Sequence, residues 1–328
     1  MVTLNRETES APTLSVVIPM YNEMQSIQQT VSEVQTSLQD LKENYEIILV
    51  DDGSIDNTVE ICKQISLRDP RIRLVMLNRN MGHMSALETG LTLSLGQFIV
   101  SMDADLQDNP KDILEMLRVI RLKDNHGNPL FDVVQTTRLD RKNDSYLKRM
   151  TAGIYYRLMK QLTGQTAIPH AADFRMISRK TLEVISKIPE KEKVYRLLLP
   201  ALGFRIAILE TKRETRFAGK SKYNVKKMIG LAINSIINFS NRPLRIITQI
   251  GVLSMMLMIV FCFYSVYLWY QNRTIPGWTS LVIIVLISNS LILISLGVVG
   301  AYVGKVFEQV KGRPNSVWTE FKNNLKSD

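Results

Sequence analysis

The sequence predicts a parallel α/β domain followed by an α-helical membrane hairpin. Three observations carry that expectation. Up to about Gln135, short β-branched apolar runs alternate with amphipathic stretches; polar clusters fall at the ends of those runs; and two long uncharged stretches occupy the C-terminal third. The runs are "LSVVIPMY", "YEIILVDD", "IRLVMLN", "QFIVSMDAD" and "FDVVQTT". Between them, "EMQSIQQTVSEVQTSL" and "NTVEICKQISLRD" have helical spacing, with Ile61 and Ile65 one turn apart. "PKDILEMLRVIRLKD" opens with a proline suited to a first helical turn.

The uncharged stretches are Ile246 to Asn272, 27 residues, and Thr274 to Gly304, 31 residues. Each exceeds the roughly 20 residues a helix needs to cross a bilayer. Arg245, Arg273 and Lys305 bracket them, and Trp269, Tyr270 and Trp278 stand at their ends as interface residues do. From Arg205 to Arg245, both included, there are ten Lys or Arg and two Glu, whereas one Arg lies between the spans, so positive-inside bias places both termini in the cytoplasm. "NVKKMIGLAINSIINFSN" carries an apolar stripe suited either to the membrane interface or to the catalytic domain's own core. The expected organisation is a catalytic domain over 1–221, a juxtamembrane segment over 222–243, two spans within 244–304 and a cytoplasmic tail over 305–328.

With 41 Lys and Arg against 31 Asp and Glu, the 328-residue chain has a formal charge of +10, which favours a phosphate-bearing or anionic-membrane partner. Charge alone would admit nucleic acid, but no motif calls for it and none is expected. Two cysteines, Cys62 and Cys262, exclude a disulfide framework and a thiolate metal site. "MVTLNRETESAPT" has no apolar core of signal-peptide length, so the N-terminal part is expected in the cytoplasm.

In open α/β sheets, ligands bind beyond the carboxyl ends of the strands. Here Pro19, Tyr21, Asn22 and Glu23 follow the first run, Asp51 to Ser54 the second, and Asp103, Asp105 and Gln107 the fourth. Asp56, Asn57 and Thr58 read as a helix cap. In extended backbone, Asp103 and Asp105 at i and i+2 would share a face and address one cation. Oxygen donors without nearby Cys or His favour Mg2+ or Mn2+. A GxGxxG fingerprint is absent, and "AGKS" at 218–221 lacks the glycine of a phosphate-binding loop, since Glu214 stands there.

"VVIPMYNE", "VDDGSIDNT", "NRNMGHMSALETGL", "DADLQDNP", "DFRMISR" and "RFAGKSKY" occur in the order found in family 2 glycosyltransferases. With the paired spans, the last two resemble the polyprenyl-phosphate branch, which includes dolichol-phosphate mannosyltransferases and bactoprenol glucosyltransferases. The resemblance spans about Leu14 to Glu320 and is specific as a set. It implies a GT-A fold, a Rossmann-like nucleotide-sugar-binding domain. It further implies that Pro19, Tyr21, Glu23, Asp52 and Asp103 hold the nucleotide sugar, and that Asp103, Asp105 and Gln107 hold the metal on the diphosphate. Asp173 becomes a candidate base or positioning carboxylate, while Arg138, Arg175, Arg216 and Lys222 surround the phosphates. Asp105, Asp173, Arg216 and Lys222 are the catalytic candidates. Two positions depart from the commonest pattern: Asn109 stands where proline is frequent, and His83 where lysine is.

The implied reaction is an inverting, metal-dependent transfer of a hexose from a nucleotide sugar to polyprenyl phosphate at the cytoplasmic face of an inner membrane. Glucose from UDP-glucose is the first expectation; mannose, N-acetylglucosamine or aminoarabinose, and a GDP-sugar donor, use the same motifs. A homo-oligomer, contact with membrane lipids, a flippase and a downstream glycosyltransferase acting in cell-envelope glycan modification accompany that expectation. A processive polysaccharide synthase is disfavoured because none of Trp269, Trp278 or Trp318 follows an arginine as QxxRW requires. A catalytically silent scaffold that binds nucleotide or a flippase would not need intact acidic and basic clusters.

Overall fold

A computed structural model describes residues 12–138, 168, 171–188, 190, 193–211, 242–271, 277–311 and 316–321. They form two compact units, one holding an eight-stranded sheet and the other two long helices. Arg216, Lys222 and most of the juxtamembrane segment lie outside the described residues.

The sheet is built from β1 (Leu14–Met20), β2 (Tyr45–Asp51), β3 (Ile72–Leu77), β4 (Phe98–Ser101), β5 (Val133–Arg138), β6 (Ala171–Ser178), β7 (Ile206–Thr211) and β8 (Trp318–Glu320). Their spatial order is β7-β5-β6-β4-β1-β2-β3-β8. The five runs read from the sequence are the first five strands. The expected parallel order holds for β1 with β2 and β4, and for β2 with β3. The sheet as a whole is mixed, because β6 runs antiparallel to β4 and β5, and β8 runs antiparallel to β3. Trp318–Glu320, which the sequence reading leaves in a tail, is thus an edge strand of the sheet.

Alternation along the strands divides the core between two faces. Leu14, Val16, Ile18, Ile47, Leu49, Ile72 and Leu74 pack with α1 (Ile27–Leu38), α2 (Thr58–Arg68) and α4 (Asp112–Ile120). Val17, Ile48, Val50, Val75 and Leu77 pack with α3 (His83–Leu93), α5 (Arg179–Ser186) and α6 (Tyr195–Ala201). In α2 the fully covered positions are Thr58, Cys62 and Ser66, while Ile61 and Ile65 are only partly buried. Burial pushes the Cys62 thiol up to about 12, so it is a core side chain and not a nucleophile.

Pro19 sits inside β1, a central strand, and is tolerated because of where β4 stops. Residues two apart present their backbone groups to the same neighbour, so Pro19 faces the side of Val17, whose carbonyl takes the last bond, from Met102 N. Beyond Met102 there is no ladder for the missing N–H to interrupt.

The second unit contains α7 (Arg242–Tyr270) and α8 (Trp278–Val310), of 29 and 33 residues, which touch each other. Among the described residues, one stretch, Ile287–Phe307, is long and apolar enough to cross a membrane, with a mean hydropathy of 1.9 and none of its window buried in the protein. Large apolar side chains such as Leu253, Leu257, Phe263, Leu293 and Leu296 are exposed. Hydroxyls on these helices turn inward: Thr248 Oγ1 donates to Leu244 O at 2.9 Å and Ser295 Oγ to Leu291 O at 2.7 Å, which removes free donors from the apolar surface.

One close contact sets the spacing of α3 against the sheet. A Cβ on Gly90 would lie 2.4 Å from Val17 Cγ1 and 2.8 Å from Val50 Cγ2, so helix and strands approach where only hydrogen fits. Gly90→Ala should force α3 outward and cost roughly 1–3 kcal/mol. The expected outcome is a lower melting temperature of the detergent-solubilised chain; an unchanged one would show that α3 shifts freely.

Candidate active site

The polar clusters converge on one rim, at the carboxyl ends of β1, β2 and β4. At β2 two adjacent carboxylates are buried, Asp51 at 2% exposure and Asp52 at 3%. Asp51 Oδ2 accepts from Gly53 N at 3.1 Å and Ser54 N at 3.0 Å. Asp52 Oδ1 accepts from Met81 N at 2.7 Å, and its Oδ2 from Gly82 N at 2.9 Å. Loss of water holds the Asp52 carboxyl above its usual range, against the pull of those two backbone donors. Gly53 has φ +71, and a Cβ there would lie 2.7 Å from Arg79 C and Asn80 N. Loop 78–82 is therefore held against the end of β2 by both contact and charge.

The loop after β1 joins the same layer. Asn22, at φ 54, receives Ile55 N on its Oδ1 at 2.9 Å and donates its own N–H to Ser54 Oγ at 2.8 Å. Glu23 N donates to Thr58 Oγ1 at 2.9 Å, and Ser26 Oγ donates to Glu23 Oε2 at 2.8 Å, so part of the Glu23 carboxylate is engaged at the start of α1. Asn57 makes no side-chain cap; Asp56 Oδ1 takes that place, accepting Thr58 N at 3.0 Å. Pro19 is buried in β1 and Tyr21 is half-buried just beyond it.

Asp103 and Asp105 follow β4, but not in extended backbone. The strand ends at Ser101, residues 104–105 form a turn, and Leu106 has φ 56. Strand alternation therefore does not relate the two carboxylates. The turn does: Gln107 N donates to Asp105 Oδ1 at 3.2 Å, and Thr30 Oγ1 donates to Ala104 O at 2.9 Å, tying it to α1. Gln107 is 6% exposed, and its Oε1 is buried with no partner. A buried acceptor without a partner, in the turn that carries both aspartates, fits a hard divalent cation. Among the described residues no three of His, Cys, Asp and Glu converge as a complete metal site. His83, at the start of α3, brings Nε2 to 3.7 Å from Asp103 Oδ1.

β6 completes the rim because it runs antiparallel to β4 and starts where β4 ends. Register sets Arg175 beside Ser101, and Ser101 Oγ donates to Asp173 O at 2.8 Å. Arg175 Nη2 donates to Asp173 Oδ1 at 2.5 Å. The guanidinium is 3% exposed and stands 5.4 Å from the centroid of the Tyr195 ring, while its Nε and Nη1 have no partner among the described residues. Burial pulls the Arg175 pKa down and Asp173 opposes it. Register places Arg138, the last residue of β5, opposite Thr211 at the same rim. The interactions of Tyr195, and the pair Lys193 Nζ to Glu88 Oε1 at 2.5 Å, were not legible in the sequence, where nothing in "KEKVYRLLLP" separates a buried lysine from a solvated one.

Residues 15–186 match the family described as Glycosyl transferase family 2. The chain belongs to that family. It is 36% identical over 301 residues to an uncharacterized glycosyltransferase, YkcC, of Bacillus subtilis (strain 168), covering 92% of this chain and 91% of that one. It is 32% identical over 307 residues to the SfII prophage-derived bactoprenol glucosyl transferase of Shigella flexneri, covering 93% and 96%. The prophage bactoprenol glucosyl transferase homolog of Escherichia coli (strain K12) is 31% identical over 310 residues, covering 93% and 97%. Among solved structures, glucosyl-3-phosphoglycerate synthase from Mycobacterium tuberculosis, in complex with Mn2+, uridine diphosphate and phosphoglyceric acid, superposes with a TM-score of 0.50 at 18% identity. It covers 69% of this chain and 76% of that one, a likeness of fold. The fold of this family 2 glycosyltransferase is thus the GT-A arrangement, with a mixed sheet.

Asp52→Ala would leave the Met81 and Gly82 N–H groups without acceptors, at a cost of roughly 1–3 kcal/mol. The expected result is faster hydrogen exchange at those two amides with a lowered melting temperature. Unchanged protection would show that loop 78–82 is held by other contacts.

Proposed function

We propose that this glycosyltransferase transfers a hexose, glucose from UDP-glucose in the first instance, with inversion to polyprenyl phosphate at the cytoplasmic face of a membrane. The observation that carries the reading is the meeting at one rim of an acidic turn with an unfilled Gln107 acceptor and a buried arginine with two unfilled donors. The first suits a cation on a diphosphate and the second suits an anion, so donor and acceptor phosphates each find a partner of opposite charge. The names of the Shigella and Escherichia relatives, alike over more than nine-tenths of each chain, support a bactoprenol-type acceptor.

In this reading the anomeric carbon exchanges its bond to the donor diphosphate for one to an acceptor phosphate oxygen. A divalent cation, Mg2+ or Mn2+, would supply Lewis-acid stabilisation of the departing diphosphate when bound. Asp103, Asp105 and Gln107 hold it; Pro19, Tyr21, Glu23 and Asp52 shape the nucleotide side. The attacking oxygen belongs to a phosphate monoester, whose second pKa near 6 leaves it largely ionised at neutral pH, so a strong base is unnecessary. Asp173, engaged with Arg175, then acts as a positioning carboxylate that orients the guanidinium. Arg175, with Arg138, Arg216 and Lys222, offsets the repulsion between two anions. α7 and α8 both span the membrane, leaving the termini cytoplasmic, and the product serves a flippase and a second transferase. Self-association accompanies this arrangement.

Incubating the chain with polyprenyl phosphate and a panel of nucleotide sugars should yield a polyprenyl-phosphate hexose, identified by mass spectrometry. No lipid product with any donor would sink the reading, and a mannosyl, N-acetylglucosaminyl or aminoarabinosyl product would correct only the sugar. In the same assay Asp105→Asn, which keeps shape but loses charge, should abolish nearly all transfer. Arg175→Lys should lower the rate about ten- to a hundredfold with donor affinity retained, since a single charge-assisted contact is worth about 1.5–3 kcal/mol. Full turnover in a chelator would remove the metal from the mechanism.

The topology is checked separately. A cysteine placed at Gln271 should be labelled by a membrane-impermeant reagent in intact cells and one at Asn315 spared; the reverse pattern would put the donor site away from the cytoplasm.

A further inference from the structure

The segment that follows α8 makes contacts that the transfer reaction does not account for. Asn78 N donates to Val317 O at 3.0 Å and Phe321 N donates to Leu74 O at 2.9 Å, so Ser316–Phe321 lies along β3 from Leu74 to its end. The hydroxyls of Thr89 and Ser316 are 2.7 Å apart. Thr89 Oγ1 already donates to Ser85 O at 2.8 Å, so Ser316 is the donor of the pair. At the other end Glu320 Oε1 accepts from Arg73 Nε at 2.7 Å. Arg73 is 6% exposed and also donates from Nη1 to Glu46 Oε2 and to Leu93 O, both at 2.9 Å.

These contacts have a common target. β3 leads into loop 78–82 and α3 leads out of it, and the segment grips both. Asn78 is the first residue of the loop; Thr89 lies on α3; Arg73 ties β3 to Leu93 at the helix's last turn. Loop 78–82 is the one whose N–H groups hold Asp52 and whose backbone abuts Gly53. A strand serving only to cover the sheet edge would need the ladder bonds and no side-chain bond to a helix.

We propose that Ser316–Phe321 is a positioning element of the donor site: by joining β3 to α3 it fixes loop 78–82, and through that loop the Asp52 carboxylate, in the geometry that receives the nucleotide. Glu320 and Ser316 are its positioning residues. The inference rests on the donor-site reading given above. It makes nucleotide affinity depend on residues that follow the second long helix in the chain, more than 230 positions from Asp52 and loop 78–82.

The test uses the full chain in detergent with Mn2+, titrated calorimetrically with UDP and separately with GDP. For whichever nucleotide the unsubstituted chain binds, Ser316→Ala and Glu320→Ala should each raise Kd roughly three- to tenfold, the size expected for one lost hydrogen bond felt through the loop. The KM for polyprenyl phosphate should stay unchanged in both. Glu320→Gln, which keeps an acceptor for Arg73, should recover most of the affinity. A merely structural strand would lower the melting temperature and leave Kd unaltered, and that result would overturn the proposal. Should Glu320→Ala not fold, Ser316→Ala, which leaves Arg73 fully paired, decides by the same criterion. Failure of the unsubstituted chain to bind either nucleotide would overturn the donor-site reading itself and this inference with it.

Discussion

The rim at the carboxyl ends of the strands takes its shape from the need of two adjacent buried carboxylates, Asp51 and Asp52, for donors. An ionised carboxylate shut away from water is costly unless N–H groups replace the water, and among the described residues neither an arginine nor a lysine does so. Backbone does. Gly53 and Ser54 turn back onto Asp51, which requires the positive φ that Gly53 has, while Met81 and Gly82 reach Asp52 from the next loop. Once those bonds are made, the end of β2 and the start of α3 are fixed relative to each other, and Ile55 and Ser54 are placed to bind Asn22 after β1. Three loops distant in sequence become one surface. Burial raises the Asp52 pKa against the pull of the Met81 and Gly82 donors.

How much of this could be read from the sequence depends on the kind of pattern involved. β1 to β5 were legible because buried parallel strands are nearly continuous apolar runs, and strand-end polar clusters stand out against them. β6 was legible only as a motif: "AADFRMIS" carries an aspartate and an arginine that break the run. Its antiparallel direction, which brings Asp173 and Arg175 to the end of β4, has no local signature. β8 is three residues long and charged at one end, so only its pairing partner makes it a strand. The turn at Asp103–Gln107 misled for another reason. The i, i+2 rule applies to extended chain, and nothing in "DADLQD" announces that Leu106 leaves it.

The distribution of charge separates two jobs that net charge alone merges. Arg73 and Arg175 are equally buried, at 6% and 3%, but Arg73 meets two carboxylates and a carbonyl, whereas Arg175 meets one carboxylate and a carbonyl and keeps two N–H groups unfilled among the described residues. The first is a closed network whose members satisfy one another and hold elements together. The second retains unmet demand, which a folded chain tolerates where a ligand supplies the missing partner. Composition reports both as basic residues; only the partners tell a closed brace from a group with donors to spare.

The same contrast explains why the acidic turn and the buried arginine sit on neighbouring strands. Two phosphates brought within bonding distance of one carbon repel each other most strongly where water is excluded. Cations on both sides relieve that repulsion, but a metal and a guanidinium placed in contact would repel each other in turn. Asp173 pairs with Arg175 on β6, and Asp103 and Asp105 lie beyond the end of β4, its antiparallel neighbour, so carboxylates stand at the ends of both strands. In the proposed reaction such an arrangement would let a site for two anions be assembled before either one binds, and the antiparallel pairing of β4 with β6 is the feature of the fold that brings Asp173 and Arg175 to the end of β4.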